Sequence, residues 1–290
     1  RFYGFTGAFE KLGLTPEEAR QRAAARYVAG SWDKLQKPDP EAPLAPEISA
    51  LILADEMYGR VHQRFHRGYA DLVRHANYAD IFLVDLNGDV VYSVTKRPNF
   101  ATNLLSGPYQ SSALAQTFAR VKLRLDGGVD PQQVFEFTDF SFNPLSGEVV
   151  AYLAAPVMQY DSVRGVVLFE LRPDKLTRIM AEREGLGETG ETILVGPDRR
   201  MRADALLSPD FSVAQSFSAN GHPMNTPLVE RTLAGEQGVG LFRSYQGDEV
   251  LAAYTQVQAF YSEWALTAEI STREAYSRIR QLETLAVTLT

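Results

Sequence analysis

The sequence predicts an α+β fold built from antiparallel sheets that are flanked by helices. Short apolar strands separated by turn residues alternate with helical segments in the order helix, two strands, helix, three strands. The same order of strands recurs roughly 100 residues further along the chain, as in a duplicated module. We therefore expect a long N-terminal helix followed by two similar modules in tandem.

Length and composition limit the classes of protein to be considered. The chain has 290 residues, and since single domains cluster near about 100–150 residues, it can hold two. Its formal net charge of -7 argues against nucleic acid and anionic membrane surfaces as partners, because both need a basic face. It contains no cysteine, which excludes disulfides, zinc–thiolate sites and cysteine nucleophiles.

Residues 1–76 predict a helical region with a long stalk helix. Thr15 provides an N-cap, and Pro16 and the acidic residues after it suit a first helical turn. A proline-rich loop follows and ends at Pro46. From there to His75, apolar residues recur every three to four positions, which predicts a helix of roughly 30 residues and about 45 Å.

Both ends of the chain carry information about its context. No signal peptide and no apolar run near the roughly 20 residues of a membrane-spanning helix is visible in the sequence. The chain begins at Arg1 rather than Met, and its last residues, LETLAVTLT, become apolar just as it stops. We expect both ends to continue in a longer protein.

The stretch from Tyr78 to Tyr109 predicts a β-hairpin followed by a loop that can form a pocket. Two apolar runs, Ile81–Val84 and Val90–Val94, flank the turn sequence DLNGD. Asn87-Gly88 suits a tight turn because both residues tolerate a positive φ. The residues after the second strand are rich in Pro, Asn, Ser and Gly, so the pocket is expected behind this hairpin.

The remaining elements complete a first module over residues 77–175 and a second over 176–290. A helix near Ser111–Leu125 precedes three strands, at Gln133–Phe142, Glu148–Met158 and Val163–Leu171. Three segments of the second half match strands of the first in the same order: Thr192–Asp198, which includes a turn, Glu249–Tyr254 and Trp264–Ile270. Differences in loop length explain why their spacing is not constant.

Catalytic and metal motifs are absent or incomplete. His62 and His66 share a helix face, but there is no metalloprotease Glu between them and Arg64 would repel a cation. The segment Gly185–Gly190 matches G-x-G-x-x-G, yet it follows a helix and precedes a strand, the reverse of the order in a dinucleotide site. There is no G-x-S-x-G nucleophile motif. We expect no catalytic residue, no metal and no cofactor.

Two carboxylates stand out because each interrupts an apolar strand. Asp139 and Glu170 either face solvent or point into a cavity, where a charge must be paired. Further polar contacts around such a cavity could come from Tyr92, Lys96, Asn99, Asn103, Tyr109 and Tyr152. Aromatic walls with a few polar groups are typical of ligand pockets, and equally of an ordinary α+β core.

The sequence resembles a known family at several of these segments. YADIFLVDLNGDVVYSV, EVVAYLAAPV and above all GETGETILVGPD are similar to the extracytoplasmic sensor domains of the double Cache type, over roughly residues 50–280. The resemblance implies two PAS-like modules stacked along a long N-terminal helix, with transmembrane helices flanking the sensor. Such domains occur in bacterial chemoreceptors, sensor histidine kinases and nucleotide cyclases.

The resemblance also implies where a ligand would bind. In this family the ligand lies in the first, membrane-distal module, which corresponds here to Lys96–Ser112 and the strands behind it. The amino-acid-binding branch carries an Arg-x-Trp-Tyr signature in this loop, whereas this chain has Pro108-Tyr109-Gln110-Ser111-Ser112. The expected ligand-binding residues are Tyr92, Lys96, Asn103, Tyr109, Ser111, Asp139, Ser141, Tyr152 and Glu170.

The expected function is ligand sensing in the periplasm, in a bacterial inner-membrane receptor, most simply a methyl-accepting chemotaxis receptor. The protein would be a homodimer through its N-terminal helices and would bind a small molecule, not nucleic acid. Three alternatives are open: the sensor domain of a histidine kinase or nucleotide cyclase, a ligand-free module that responds to a partner protein, and an enzyme, which the missing motifs disfavour.

Overall fold

The computed structural model describes residues 46–277, with side chains from Met57 onward, and the isolated residues 6 and 18. The helix expected before residue 30, the proline-rich loop and the last residues of the chain lie outside this part. The chain divides into two compact units between Arg172 and Pro173, and each unit is described separately below.

The first unit begins with a long amphipathic helix, α1 (Pro46–Ala76), where the apolar periodicity predicts one. Its apolar face packs into the core of the unit through side chains such as Val61, Phe65 and Tyr69. The most buried of them, Tyr58, also donates a hydrogen bond of 2.9 Å to the carbonyl of Val91. Burial of this face, rather than helix propensity, holds α1 against the unit.

The sheet of the first unit is antiparallel with the strand order β2-β1-β5-β4-β3. Its strands are β1 (Tyr78–Asp85), β2 (Val90–Ser93), β3 (Glu136–Asn143), β4 (Glu148–Gln159) and β5 (Ser162–Leu171). The first and last strands of this unit, β1 and β5, lie side by side although three strands separate them in sequence, so residues far apart in the chain meet on one sheet.

The hairpin predicted at the start of the module is confirmed. The Asp85 carboxylate accepts hydrogen bonds from the backbone N–H groups of Asn87 (3.0 Å) and Asp89 (2.8 Å) and so closes the turn. Gly88 has a φ of 96°, which a residue with a side chain rarely adopts. This turn fixes where β2 begins and therefore where the following loop enters the module.

A second helix, α2 (Ala113–Asp126), packs on β3 and β4. It begins at Ala113 rather than Ser111 because the Ser112 side chain caps it by accepting a hydrogen bond from the N–H of Ala115. Leu114, Phe118 and Val121 are buried on its inner face. The loop in front of α2 is thereby held over the end of β3.

One row of side chains crosses the first sheet. Thr138 pairs with Tyr152, Tyr152 with Glu170, and Glu170 with Asp80 on four neighbouring strands. Directly paired residues of antiparallel strands project from the same face of a sheet. The register therefore brings a hydroxyl, a phenol and two carboxyl groups into one line.

The second unit contains a smaller antiparallel sheet with the strand order β6-β9-β8-β7. Its strands are β6 (Glu191–Val195), β7 (Gly238–Arg243), β8 (Glu249–Ala259) and β9 (Ser262–Ser271). Its helices are α3 (Asp174–Met180), α4 (Val213–Ser216) and α5 (Pro227–Leu233). The strands β6, β7, β8 and β9 correspond in order to β1, β3, β4 and β5 of the first unit.

This correspondence extends the repeat predicted from three matching segments. The edge strand β7 is absent from the sequence prediction because its GVGLFR sequence contains two glycines, which weaken a strand signal. Nothing equivalent to β2 pairs with β6 among the described residues; a single bridge between Val195 and Met201 occupies that edge. The second unit is thus a reduced version of the first.

Candidate ligand-binding site

The first unit contains a cavity of about 550 Å³ between the start of α2 and the turn that joins β3 to β4. Cavities of roughly 300–1,000 Å³ are typical of small-molecule sites. The loop before α2, the first turns of that helix, the end of β3 and one residue of β4 all contribute to it. The lining residues are Pro108, Tyr109, Ser111, Ser112, Ala113, Gln116, Thr138, Ser141, Phe142, Asn143, Pro144, Leu145 and Tyr152.

A hydrogen-bonded network centred on Glu170 forms the inner wall of this cavity. Glu170 is fully buried, and its Oε1 accepts hydrogen bonds from Asn143 Nδ2 (2.6 Å) and the Tyr152 hydroxyl (2.9 Å). Its Oε2 accepts a hydrogen bond of 2.6 Å from Arg97 Nη1, which makes an ion pair. Burial and the adjacent Glu170 raise the pKa of the Tyr152 phenol, so it keeps its proton and donates it.

Asp80, the neighbour of Glu170 on β1, has a separate set of hydrogen bonds. Its Oδ1 accepts hydrogen bonds from the backbone N–H groups of Ile81 (2.7 Å) and Val94 (2.8 Å), and Thr95 donates its hydroxyl to Oδ2. Burial raises the pKa of Asp80 to about 6, against the opposing effect of the Thr95 hydrogen bond, and the charge of Glu170 raises it further. Asp80 therefore holds its proton more tightly than an ordinary aspartic acid.

The outer wall of the cavity carries hydroxyl groups with unused hydrogen-bonding capacity. The side-chain hydroxyls of Tyr109, Ser111 and Ser141 have no hydrogen-bond partner within residues 46–277. Thr138 differs, because its hydroxyl is hydrogen-bonded to Thr117 and to the Arg120 guanidinium. A bound molecule can thus find three hydroxyls that each donate and accept.

The structure brings together four of the residues expected from the sequence. Tyr109, Ser111, Ser141 and Tyr152 line the cavity, and Glu170 lies directly behind it. The solvent-facing alternative for Glu170 is wrong, since this side chain is fully buried and paired.

Four other expected residues lie elsewhere in the first unit. The amide of Asn103 donates to Asn87 O (2.9 Å) and Asp89 Oδ1 (2.8 Å), so it braces the hairpin turn. Asp139 lies in a bulge of β3, and its carboxylate accepts from Phe140 N at 2.7 Å. Neither side chain lines the cavity.

Tyr92 and Lys96 belong to a cluster next to α1. Lys96 is buried, its ammonium donates to the Ser93 carbonyl, and it lies 3.9 Å from the centre of the Tyr92 ring. Burial holds the pKa of Lys96 well below its usual value. The Tyr92 hydroxyl is 2.9 Å from Nδ1 of His66, whose ring stacks on His62 at 4.2 Å. The two histidines therefore make helix–sheet contacts with Tyr92.

Several site residues were not predicted from the sequence. Phe142, Asn143, Pro144 and Leu145 form the end of β3 and the turn after it, and all four line the cavity. The NPLSG turn is visible in the sequence, but only the pairing of β3 with β4 places it opposite the loop before α2. Arg97, which neutralises Glu170, comes from a loop and carries no local pattern.

Metal-ligating side chains and the G-x-G-x-x-G segment were the remaining chemical signals of the sequence. No group of three or more His, Asp or Glu side chains in that part of the chain is placed to hold a metal ion. In the G-x-G-x-x-G segment, Gly185 and Gly187 have φ values of 83° and 76°, and the segment forms a loop that leads into β6.

No helix in the described range is long and apolar enough to cross a membrane.

A comparison with protein families now identifies the chain. The model of the Cache domain family matches residues 20–279. The chain belongs to the Cache domain family. This confirms the resemblance noted in the sequence and the α+β fold with antiparallel sheets. A comparison with curated protein sequences finds no match.

Similar solved structures include sensor domains of two receptor classes. The ligand-binding domain of the Pseudomonas aeruginosa PAO1 amino acid chemoreceptor PctB, in complex with L-Arg, is 15% identical, with 86% of this chain and 85% of that chain covered and a TM-score of 0.46. The same domain of Pseudomonas fluorescens CtaA, in complex with L-isoleucine, is 14% identical, with 96% and 86% covered and a TM-score of 0.42. The sensor domain of the V. cholerae histidine kinase DctB is 13% identical, with 88% and 95% covered and a TM-score of 0.43.

Proposed function

We propose that this chain is the periplasmic ligand-sensing domain of a bacterial transmembrane receptor, most simply a methyl-accepting chemotaxis receptor. The observation that carries the proposal is the cavity of the first unit, with its three unpartnered hydroxyls in front of a buried, fully hydrogen-bonded wall. Membership in the Cache domain family supports it. A concave site with a few convergent polar groups is what a small ligand needs.

Ligand binding at this cavity can be relayed through the row of paired residues. A molecule in contact with Tyr152 and Asn143 touches both donors to Glu170, and Glu170 is the sheet neighbour of Asp80. Asp80 in turn holds the backbone after β2 through Val94. This backbone directly follows the strand that carries Tyr92, the hydrogen-bond partner of His66 on α1.

The long helix α1 is the proposed transmitter and dimer surface. A ligand shifts the balance between two packings of the unit only by its differential affinity for them. Because neighbouring strands connect the inner wall of the cavity with the residues that contact α1, a small change in the wall can favour one position of the helix. Transmembrane segments outside the described residues would pass this change to a cytoplasmic output domain.

Thermal-shift screening of the chain against small metabolites tests the proposal. Ser111 is exposed at the rim of the cavity, so Ser111→Trp fills the cavity without disturbing the core. Gln110→Trp is the matched control, since its exposed side chain is adjacent in sequence but does not line the cavity. We expect compounds that stabilise the native chain and the Gln110 variant saturably, with at least about a tenfold weaker effect on the Ser111 variant.

A screen without any such compound, together with a tight complex with another protein, would favour the module that responds to a partner. Steady turnover of an ester, phosphate or glycoside substrate that is abolished by Ser111→Trp would instead favour an enzyme. A receptor that is a histidine kinase or a nucleotide cyclase would leave the binding result unchanged. Those output classes are distinguished by expressing the full-length receptor and assaying its cytoplasmic domain.

A further inference from the structure

The charge of the ligand follows from the groups around the cavity, an inference that rests on the proposed function. The lining consists of apolar side chains and of hydroxyl and amide groups. Among the described residues that line it there is no Arg, Lys, His, Asp or Glu. A charged group inside such a cavity would lose its hydration without a compensating partner.

A carboxylate ligand would find no available cation. The Arg120 guanidinium contacts the lining residue Thr138 through Nη2, which also donates to Phe137 O at 3.2 Å, and its Nε pairs with Glu136 at 3.2 Å. Moving Arg120 into the cavity would break these contacts. Arg97 is bound to the Oε2 atom of Glu170, on the other side of the carboxylate from the cavity residues.

An ammonium ligand would find no available anion either. Glu170 lies behind Asn143 and Tyr152, which both donate to its Oε1, and Arg97 neutralises it through Oε2. Its side chain is fully buried, so a ligand cannot reach the carboxylate without displacing one of these donors. The carboxylate directly behind the cavity is therefore already paired with a cation before any ligand enters.

The polar groups that remain available to a ligand are uncharged hydroxyls, which can both donate and accept hydrogen bonds. The hydroxyls of Tyr109, Ser111 and Ser141 can each donate one hydrogen bond and accept others. Phe142, Pro144 and Leu145 add an apolar wall to the same cavity. We propose that the cavity binds an uncharged polar ligand, a molecule with carbonyl, amide or hydroxyl groups beside an apolar ring or chain.

A charge-sorted screen tests this inference. The probes are sets of equal size and shape, such as benzamide, benzoate and benzylamine, within a fragment library that holds equal numbers of uncharged, anionic and cationic compounds at pH 7. Ligand-observed NMR with the native chain identifies binders, and Ser111→Trp against Gln110→Trp identifies which of them occupy the cavity. We expect the cavity binders to be uncharged compounds, with charged counterparts binding at least about tenfold more weakly.

A substitution that adds a cation to the cavity, and so changes the ligand charge that the cavity prefers, tests the inference independently. Gln116 lines the cavity from the exposed face of α2, so Gln116→Arg places a cation there. Leu123→Arg is the control, because Leu123 is 72% exposed on the same helix and does not line the cavity. We expect Gln116→Arg, but not Leu123→Arg, to gain at least about tenfold in affinity for benzoate-type probes.

The outcomes separate this inference from the function on which it rests. Carboxylates or ammonium compounds that occupy the native cavity as tightly as their uncharged counterparts would overturn the inference and leave ligand sensing intact. Unchanged carboxylate affinity in Gln116→Arg would also contradict it. If no compound of any charge is lost on Ser111→Trp, the proposed function itself fails.

Discussion

Replacing Glu170 with Gln should destabilise the first unit because its buried carboxylate has three hydrogen-bond partners. Glu170 is fully buried and accepts from Arg97 (2.6 Å), Asn143 (2.6 Å) and Tyr152 (2.9 Å). A Gln side chain offers one oxygen and two N–H donors, so at least one donor would face another donor. Removing one partner of a buried pair costs about 3–5 kcal/mol.

The exposure of Arg97 places the expected loss at the lower end of that range. The Arg97 side chain is 16% exposed, so water can partly hydrate it once its partner is neutral. We expect Glu170→Gln to lose about 3 kcal/mol in the free energy of unfolding, or about 6–12 °C in Tm for a unit of this size. Urea and thermal unfolding, followed by hydrogen exchange in each unit separately, measure the loss.

Glu148→Gln is the matched control for this substitution. Glu148 pairs with Arg172 at 3.3 Å, but both side chains are considerably more exposed, so the same chemical change should cost at most about 1 kcal/mol. The double variant Glu170→Gln, Arg97→Met should lose less free energy of unfolding than the two single variants lose together, because neither charge of the pair is then left without its partner. Equal losses in Glu170→Gln and Glu148→Gln would refute the reasoning.

Three further changes probe the two units. Burial, with a contribution from the charge of Glu191, raises the pKa of Glu269 to about 7. Protonated Glu269 therefore stabilises the folded second unit; this contribution is complete below the ordinary pKa of 4.5 and is lost as the pH rises through 7. Glu269→Gln should remove up to about 3 kcal/mol of this pH dependence from the free energy of urea unfolding of the second unit. A pH profile that is the same in both proteins would contradict this. Gly107→Ala should lower the free energy of unfolding, measured with urea, by about 1–3 kcal/mol, because the added Cβ would overlap the carbonyl oxygen of Asn103. An unchanged free energy of unfolding would show that this loop adapts to the added methyl group. Ser112→Ala removes the N-cap of α2 and should cost about 1 kcal/mol, whereas Ser112→Asp should largely retain the cap; equal stability of all three proteins would argue against the cap.

Local patterns made the elements of the first unit predictable. The turn DLNGD identifies the hairpin because Asn and Gly tolerate the backbone that a tight turn requires, and the 3.6-residue periodicity identifies α1. The repeat was predictable from matching strands. Strand β7 was not, because two of its six residues are glycine and only its pairing with β8 defines it.

The site was only partly predictable, because it depends on pairing between distant strands. Tyr109 and Ser111 lie in a loop whose composition already suggests a pocket, and Tyr152 is an aromatic residue on a strand behind it. The role of Asn143 requires the register that sets Tyr152 opposite Glu170. No local pattern distinguishes it from other turn residues.

Lys96 shows that the composition of a loop alone does not predict which of its side chains contact a ligand. A lysine in a loop rich in polar residues suggested a ligand contact, yet its ammonium lies against the rings of Tyr92 and Phe100 and is buried. Its backbone φ of 53° turns the side chain into the core. Such a position depends on a local backbone conformation that is uncommon outside glycine and asparagine.

Hydrogen exchange measured by mass spectrometry, with and without the strongest uncharged binder, tests the central claim most directly. The account predicts slower exchange in the segments that line the cavity, 108–116 and 141–145, with a smaller change along α1. Ser111→Trp should abolish these changes and Gln110→Trp should retain them. Protection confined to the second unit, or unchanged exchange around the cavity at saturating ligand, would contradict ligand sensing by the first unit.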